Sequence, residues 1–195
     1  LKEAPVCQLT GSYQDKNQQT AYVALQVLRN ICGVDLSRES IARGFAEVCT
    51  LTGLRGRWEV LSQSPLIICD TGHNGHCIRY VAEQLYRLME NAADTARLRV
   101  VLGMVADKDI DLVMSLLPED AVYYFTQPSS SRALPAEELQ RRWQQQHPEH
   151  SDSRSFASVK EAVEIAQKEA THEDVIFVGG SNYVVGEVFG AFTKQ

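Results

Sequence analysis

The chain has 195 residues and a net charge of −6, with 44% hydrophobic and 23% charged residues, an ordinary globular composition. That length suits one domain, or one domain with part of another, and supports a core that needs neither disulfides nor metals. The acidic balance argues against a protein built to bind nucleic acid, and no apolar run approaches the ~18 residues of a membrane span.

Cys7, Cys32, Cys49, Cys69 and Cys77 form no C-x-x-C pair, so zinc and a disulfide framework have no sequence support. Cys69 lies in an apolar run and is expected to act as a small buried hydrophobe. A reducing cytoplasm is the simplest home, and no signal peptide is visible. The opening Leu1-Lys2-Glu3-Ala4-Pro5 carries no methionine, as expected of a piece trimmed from a longer polypeptide.

The first fifty or so residues read as one short strand near Val6 to Leu9 and a helix from about Asp15 to Ile31. A second helix follows from Ser37 to about Val48, then a connector at Leu51-Thr52-Gly53-Leu54. From residue 57 onward, strand and helix signals alternate. Arg57 to Leu61 is a short strand candidate, and Leu66 to Asp70 a stronger one. Between Asn74 and Glu90, Ile78, Val81, Ala82, Leu85, Leu88 and Met89 follow the spacing of one helix face.

Val100 to Met104 is the next buried strand, and Asp109 to Leu117 a helix stopped by Pro118. Ala121 to Thr126 is a strand, and Pro135 opens a helix at a favoured first-turn position. A polar loop spans Gln144 to Ser155, and Phe156 marks a short strand. Ser158-Val159-Lys160-Glu161 has capping-box spacing and starts a helix reaching about Ala170. Val175 to Val178 is the last strand, followed by Gly179-Gly180-Ser181 and a terminal helix. Near-continuous apolar strands joined by helices imply a doubly wound α/β domain: a mostly parallel sheet of five to six strands with helices on both faces.

Ligands of open α/β sheets settle at the carboxyl ends of the strands. Asp70 stands at such an end, followed by Thr71-Gly72-His73-Asn74-Gly75-His76. It serves either as a helix cap or loop-ordering carboxylate, or as an acceptor for ribose hydroxyls or a cation. His73 and His76 would need further ligands to hold a metal, so no metal site is assigned. A single histidine bonding a substrate carboxylate or phosphate is the better use.

Lys108, between Asp107 and Asp109, reads by default as part of a solvated charge cluster. Gly179-Gly180-Ser181-Asn182 lets backbone N–H groups approach an anion, or is an ordinary tight turn. Arg57 is either a surface charge or a phosphate grip reaching into an interdomain cleft; for Gln14 and Asn17, capping is the default role. The chain contains no G-x-G-x-x-G after a strand, no G-x-x-x-x-G-K-[ST] and no G-x-S-x-G. Taken singly, these positions decide no function.

Taken in order, they resemble a family. Gly11-Ser12-Tyr13-Gln14-Asp15-Lys16-Asn17 with Ala21, Ala24 and Leu25, then Gly56-Arg57, then Asp70-Thr71-Gly72-His73-Asn74 stand in the sequence in that order. Asp107-Lys108-Asp109, Arg132-Ala133-Leu134-Pro135 and Gly179-Gly180-Ser181 follow. This set is similar to the C-terminal part of folylpolyglutamate synthase/dihydrofolate synthase, a branch of the Mur-type ligases, over nearly the whole chain.

The resemblance implies an ATP- and magnesium-dependent cytoplasmic ligase that adds L-glutamate to folate or dihydropteroate through an acyl phosphate. Asn17 would contact adenine, Arg57 the phosphates and Asp70 the ribose; His73 and Ser181 would lie near the acyl phosphate and incoming glutamate. It also implies that residues 1–54 are the tail of a central ATPase domain and 55–195 the glutamate-ligase domain. The family's P-loop and magnesium ligands belong to an N-terminal ATPase domain outside these residues, so the chain alone is expected to be inactive. Gly75 replaces the family's proline, which leaves the path of that loop open. The rival readings are a Mur-type ligase of cell-wall precursors and a non-catalytic receiver-like domain.

Overall fold

In the computed structural model, which describes residues 4–149 and 152–192, the chain divides into two compact units between Trp58 and Glu59. The first contains α1 (Gln14–Asn30), α2 (Arg38–Ala46) and α3 (Val48–Thr52). Helix α1 starts where the Gln14 N–H donates to Gly11 O at 2.8 Å. Ser37 caps α2, its hydroxyl accepting from the Ser40 N–H at 3.0 Å.

No strand forms at Val6 to Leu9. The Gln8 N–H donates instead to Phe45 O at the end of α2 (3.1 Å), and Gln8 Oε1 accepts from the Cys49 N–H (2.8 Å). Without a neighbouring strand, that segment satisfies its polar groups on helices. The connector expected at Leu51 is partly α3, which Gly53 ends in the left-handed conformation (φ 69°).

The second unit contains β1 (Glu59–Gln63), β2 (Leu66–Asp70), α4 (Gly75–Glu90), β3 (Leu98–Leu102) and α5 (Ile110–Met114). It continues with β4 (Val122–Thr126), α6 (Ala136–Gln146), β5 (Ser153–Phe156), α7 (Val159–Glu169), β6 (Val175–Gly179) and α8 (Asn182–Phe192). Part of the expected polar loop is thus helix and strand; its residues 150 and 151 lie outside the described residues, as do residues 1–3 of the opening segment. Helix α5 is shorter than expected because the N–H groups of Leu116 and Leu117 bond back three residues, to Val113 O and Met114 O.

The six strands form one sheet in the order β1-β2-β6-β3-β4-β5. All neighbours are parallel except β1 and β2, where only Ser64 and Pro65 separate the strands. So short a link permits a hairpin and no crossover, which makes β1 antiparallel.

Strand residues alternate between two cores. Ile67, Cys69, Val101, Tyr124, Ile176 and Val178 pack with Val159, Val163 and Ala166 of α7 and Val184 and Val188 of α8. On the opposite face, Tyr123 lies against Trp143 of α6 with ring centres 4.0 Å apart. Strands β2, β3, β4 and β6 are buried almost throughout, which explains their continuous apolar runs.

A decisive feature is the place of β6. Last in the sequence, it lies between β2 and β3, with Asp70, Gly179 and Leu102 in register. The chain reaches β3 from β2 by passing over this position, so the loops after β2, β6 and β3 open side by side.

Candidate functional site

The three loops and the turn after β4 build a cavity of about 350 Å³ lined by His73, Val105, Lys108, Arg132, Ser181, Asn182 and Tyr183. The glycines of the Gly179-Gly180-Ser181 turn let its backbone approach its neighbours. Gly180 has φ 95°, and a Cβ there would lie 2.6 Å from Gly103 O. That approach brings Ser181 to the start of α8, where its hydroxyl oxygen accepts from the Val184 N–H at 3.2 Å. Ser181 is 2% exposed and marks the floor of the cavity; its O–H retains a proton to donate.

Asp70 is buried, and one carboxylate oxygen accepts from the Gly72 N–H at 2.7 Å. That contact shapes the loop, and it matches the loop-ordering alternative without removing the ribose-binding one. Three residues on, His73 Nδ1 lies 2.9 Å from Thr71 O. A carbonyl can only accept, so Nδ1 carries a proton, and in the tautomer this bond selects the lone pair lies on Nε2. Asn74 caps α4, its side-chain oxygen accepting from the Cys77 N–H at 3.0 Å.

Gly75 opens that helix under Leu112: a Cβ there would lie 2.7 Å from Leu112 Cδ2, so α5 occupies the space a side chain would need. His76 is exposed and packs edge-on to Tyr80, with ring centres 5.3 Å apart. Among the described residues, no group of three or more His, Cys, Asp or Glu could hold a metal ion.

The cationic side of the cavity is fixed by backbone pairing between two loops. Ala106 N donates to Arg132 O and Leu134 N to Met104 O, both at 2.9 Å, while Val105 and Ala133 form an isolated bridge. The Arg132 guanidinium pairs with the Asp107 carboxylate. That bond holds the Asp107 carboxyl below its ordinary range, with Lys108 adding a smaller effect.

Arg132 was present in the sequence only as part of a family match. No spacing rule brings residue 132 to residue 108; the loop bridge does. Lys108, whose default reading was a solvated charge, lines the cavity.

The first unit holds the other two candidates. Asn17 lies on α1, where its amide donates to Gln14 Oε1 at 3.0 Å. Both line a mostly apolar cavity of about 440 Å³ with Leu9, Leu25, Ile41 and Phe45. Arg57 sits between Gly56 (φ 72°) and Trp58 (φ 52°), so the backbone enters the left-handed region on each side of it. A tryptophan there is strained, and such strain gathers at segments that position something.

The fold and the cavity define a parallel α/β domain with an anion-suited edge at its topological switch point. Residues 56–182 match the family model described as Mur ligase, glutamate ligase domain, and the chain belongs to that family. It is 32% identical over 173 residues to the dihydrofolate synthase/folylpolyglutamate synthase of Escherichia coli K12, covering 88% of this chain and 37% of the relative. The chain therefore spans little more than a third of that relative's length.

Among solved structures, one similar protein is the bifunctional folylpolyglutamate synthase/dihydrofolate synthase of Yersinia pestis complexed with AMPPNP and manganese. It gives a TM-score of 0.73 at 27% identity, over 99% of this chain and 42% of that one. Another is a bifunctional folylpolyglutamate synthase/dihydrofolate synthase with manganese, AMPPNP and L-glutamate bound, with a TM-score of 0.74 at 28% identity over 97% and 41%.

Proposed function

We propose that this chain supplies the glutamate-ligase part of an ATP- and magnesium-dependent cytoplasmic ligase that adds L-glutamate to folate or dihydropteroate. The observation that carries this is the cavity at the switch point, where a buried serine, a histidine of fixed tautomer and two cations converge in a domain of this family. The relatives reported are folate ligases, which favours that branch over ligases of cell-wall precursors. Family membership leaves the receiver-like reading without support.

In the reaction, a carboxylate oxygen of the pterin substrate attacks the γ-phosphorus of ATP and ADP departs. The glutamate amine then attacks the acyl carbon, phosphate leaves with its bonding pair, and the amine loses a proton. His73 Nε2 can accept a hydrogen bond or proton from the attacking amine, because Nδ1 is committed to Thr71 O. Ser181 can donate to an oxygen of the acyl phosphate from the cavity floor.

Asn17 would bind adenine, Asp70 the ribose and Arg57 the phosphates, a task that suits a guanidinium fork. ATP fits this donor chemistry. Magnesium does not fit here, since the described residues provide no ligand cluster. Its ligands are assigned to an N-terminal ATPase domain, with residues 1–54 as the tail of the central domain and 55–195 as the ligase domain. The exposed apolar side chains Val23, Val27 and Leu28 of α1 and Ile31 just after it would suit burial against such a domain.

The test is glutamate-dependent ADP release by the longer ligase carrying this chain, assayed with each pterin. Asp70→Ala and Arg57→Ala are each expected to lower kcat/KM at least ~100-fold, and the 195-residue chain alone is expected to release no ADP. Near-wild-type rates in both variants would sink the site assignment.

A further inference from the structure

Within the reading of Arg57 as a phosphate grip, we propose that Trp58 is its positioning residue, fastening Arg57 to the turn that begins α1. Among the described residues, Trp58 is the one residue other than glycine with a positive φ, at 52°. A glycine adopts that conformation freely, whereas a residue with a side chain is strained there. Such strain persists only where the surroundings over-determine it.

Trp58 is 9% exposed, and the turn at Thr10 and Gly11 holds it at two points. The Thr10 hydroxyl donates to Trp58 O at 3.4 Å. Gly11 is buried against the tryptophan and has no room for a side chain. A Cβ there would lie 2.9 Å from Tyr13 Cε1 and 3.2 Å from Trp58 Cβ. Gly11 O in turn accepts from the Gln14 N–H at 2.8 Å, and Gln14 Oε1 from the Asn17 amide at 3.0 Å.

A short chain of contacts thus runs from Trp58, next to Arg57, through Gly11 and Gln14 to Asn17. The residues assigned to opposite ends of the nucleotide, phosphates and adenine, are fastened together within the first unit. On the other side of Arg57, Gly56 is buried as well. With both neighbours buried and left-handed, the Arg57 backbone has little freedom to swing. A guanidinium placed before its ligand arrives loses little freedom on binding.

The experiment is steady-state kinetics of the longer ligase carrying this chain, with kcat and KM measured for ATP and for L-glutamate. Trp58→Gly suits the backbone conformation and removes the indole; it is expected to lower kcat/KM for ATP at least ~10-fold. KM for L-glutamate should stay within ~2-fold of wild type. Gly11→Ala, which presses on Trp58 without altering it, should act in the same direction, and Trp58→Phe should restore most of the rate. In an Arg57→Ala background Trp58→Gly should cost less than ~2-fold more, because the group it acts through is already gone.

A tryptophan that merely fills the first unit would cost the same factor with or without Arg57, and that result overturns the proposal. So does a wild-type kcat/KM in both Trp58→Gly and Gly11→Ala, or an equal rise in KM for L-glutamate. Should Trp58→Gly not fold, Gly11→Ala in the two backgrounds decides alone. The phosphate-grip reading survives each of these results. It falls only if Arg57→Ala itself keeps the wild-type kcat/KM, and then this proposal falls with it.

Discussion

Arg99 lies on β3 at the end of the sheet opposite the cavity, where it holds a buried carboxylate. Its Nε donates to Asp174 Oδ2 at 2.9 Å, Nη1 to the Tyr124 hydroxyl at 2.6 Å and Nη2 to Glu169 O at 2.9 Å. Burial pushes the Asp174 carboxyl up, but the N–H groups of Arg97 and Thr171 and the Arg99 guanidinium outweigh it and hold the carboxyl below its ordinary range. Removing Arg99 leaves Asp174, 1% exposed, without its charged partner. Arg99→Met is therefore expected to destabilise the second unit by about 3–5 kcal/mol, read as a lower urea midpoint at unchanged slope. Adding Asp174→Asn should recover much of that loss, since the uncompensated charge is its source.

At the scale of elements, α7 is capped at its start and tied to the sheet at its end. Ser158 caps its start, the hydroxyl accepting from the Glu161 N–H at 3.2 Å, as the capping-box spacing implied. At the other end Glu169 receives Arg154 of β5 at 2.9 Å and the Tyr124 hydroxyl of β4 at 2.7 Å. Arg154 brings Glu169 down to about 2 against a smaller opposing effect of burial, with Tyr124 assisting. A carboxyl lowered in the folded state stabilises fully above its unfolded value of 4.5, and that stability is lost as pH falls towards 2. Because Glu169 is 37% exposed, solvent screens the pair and the effect should be modest. Glu169→Gln is expected to flatten the stability profile in that window, measured by thermal melts from pH 5 to 2.

Over the whole molecule, the two units differ sharply in core. Among the described residues, the buried apolar side chains of the first are Ile41, Phe45 and Trp58, while those of the second run through β2, β3, β4 and β6 and the helices on both faces. Val23, Val27 and Leu28 of α1 and its C-cap Ile31 are between 42% and 78% exposed. Few buried apolar groups mean a low free energy of local opening. Amides of α1 and α2 are therefore expected to exchange with solvent at least ~100-fold faster than those of β3 and β6, by hydrogen exchange with mass spectrometry. Equal protection would show that the first unit is as firmly folded as the second.

Local chemistry made much of this protein readable from its residues. The strand Leu66–Asp70 and the caps Asn74 and Ser158 follow from neighbours within a few positions, because burial pattern and capping are local properties. The error at Val6 to Leu9 has the converse cause: a strand needs a partner, and an apolar run alone cannot supply one. The sequence by itself determined the α/β class, the strand-end acid and the ordered motifs of the family. Tertiary structure alone decided that β6 enters between β2 and β3, and that the loop bridge at Val105 and Ala133 carries Arg132 to Lys108. Strand order and loop pairing depend on contacts between residues distant in the chain, which no local pattern encodes.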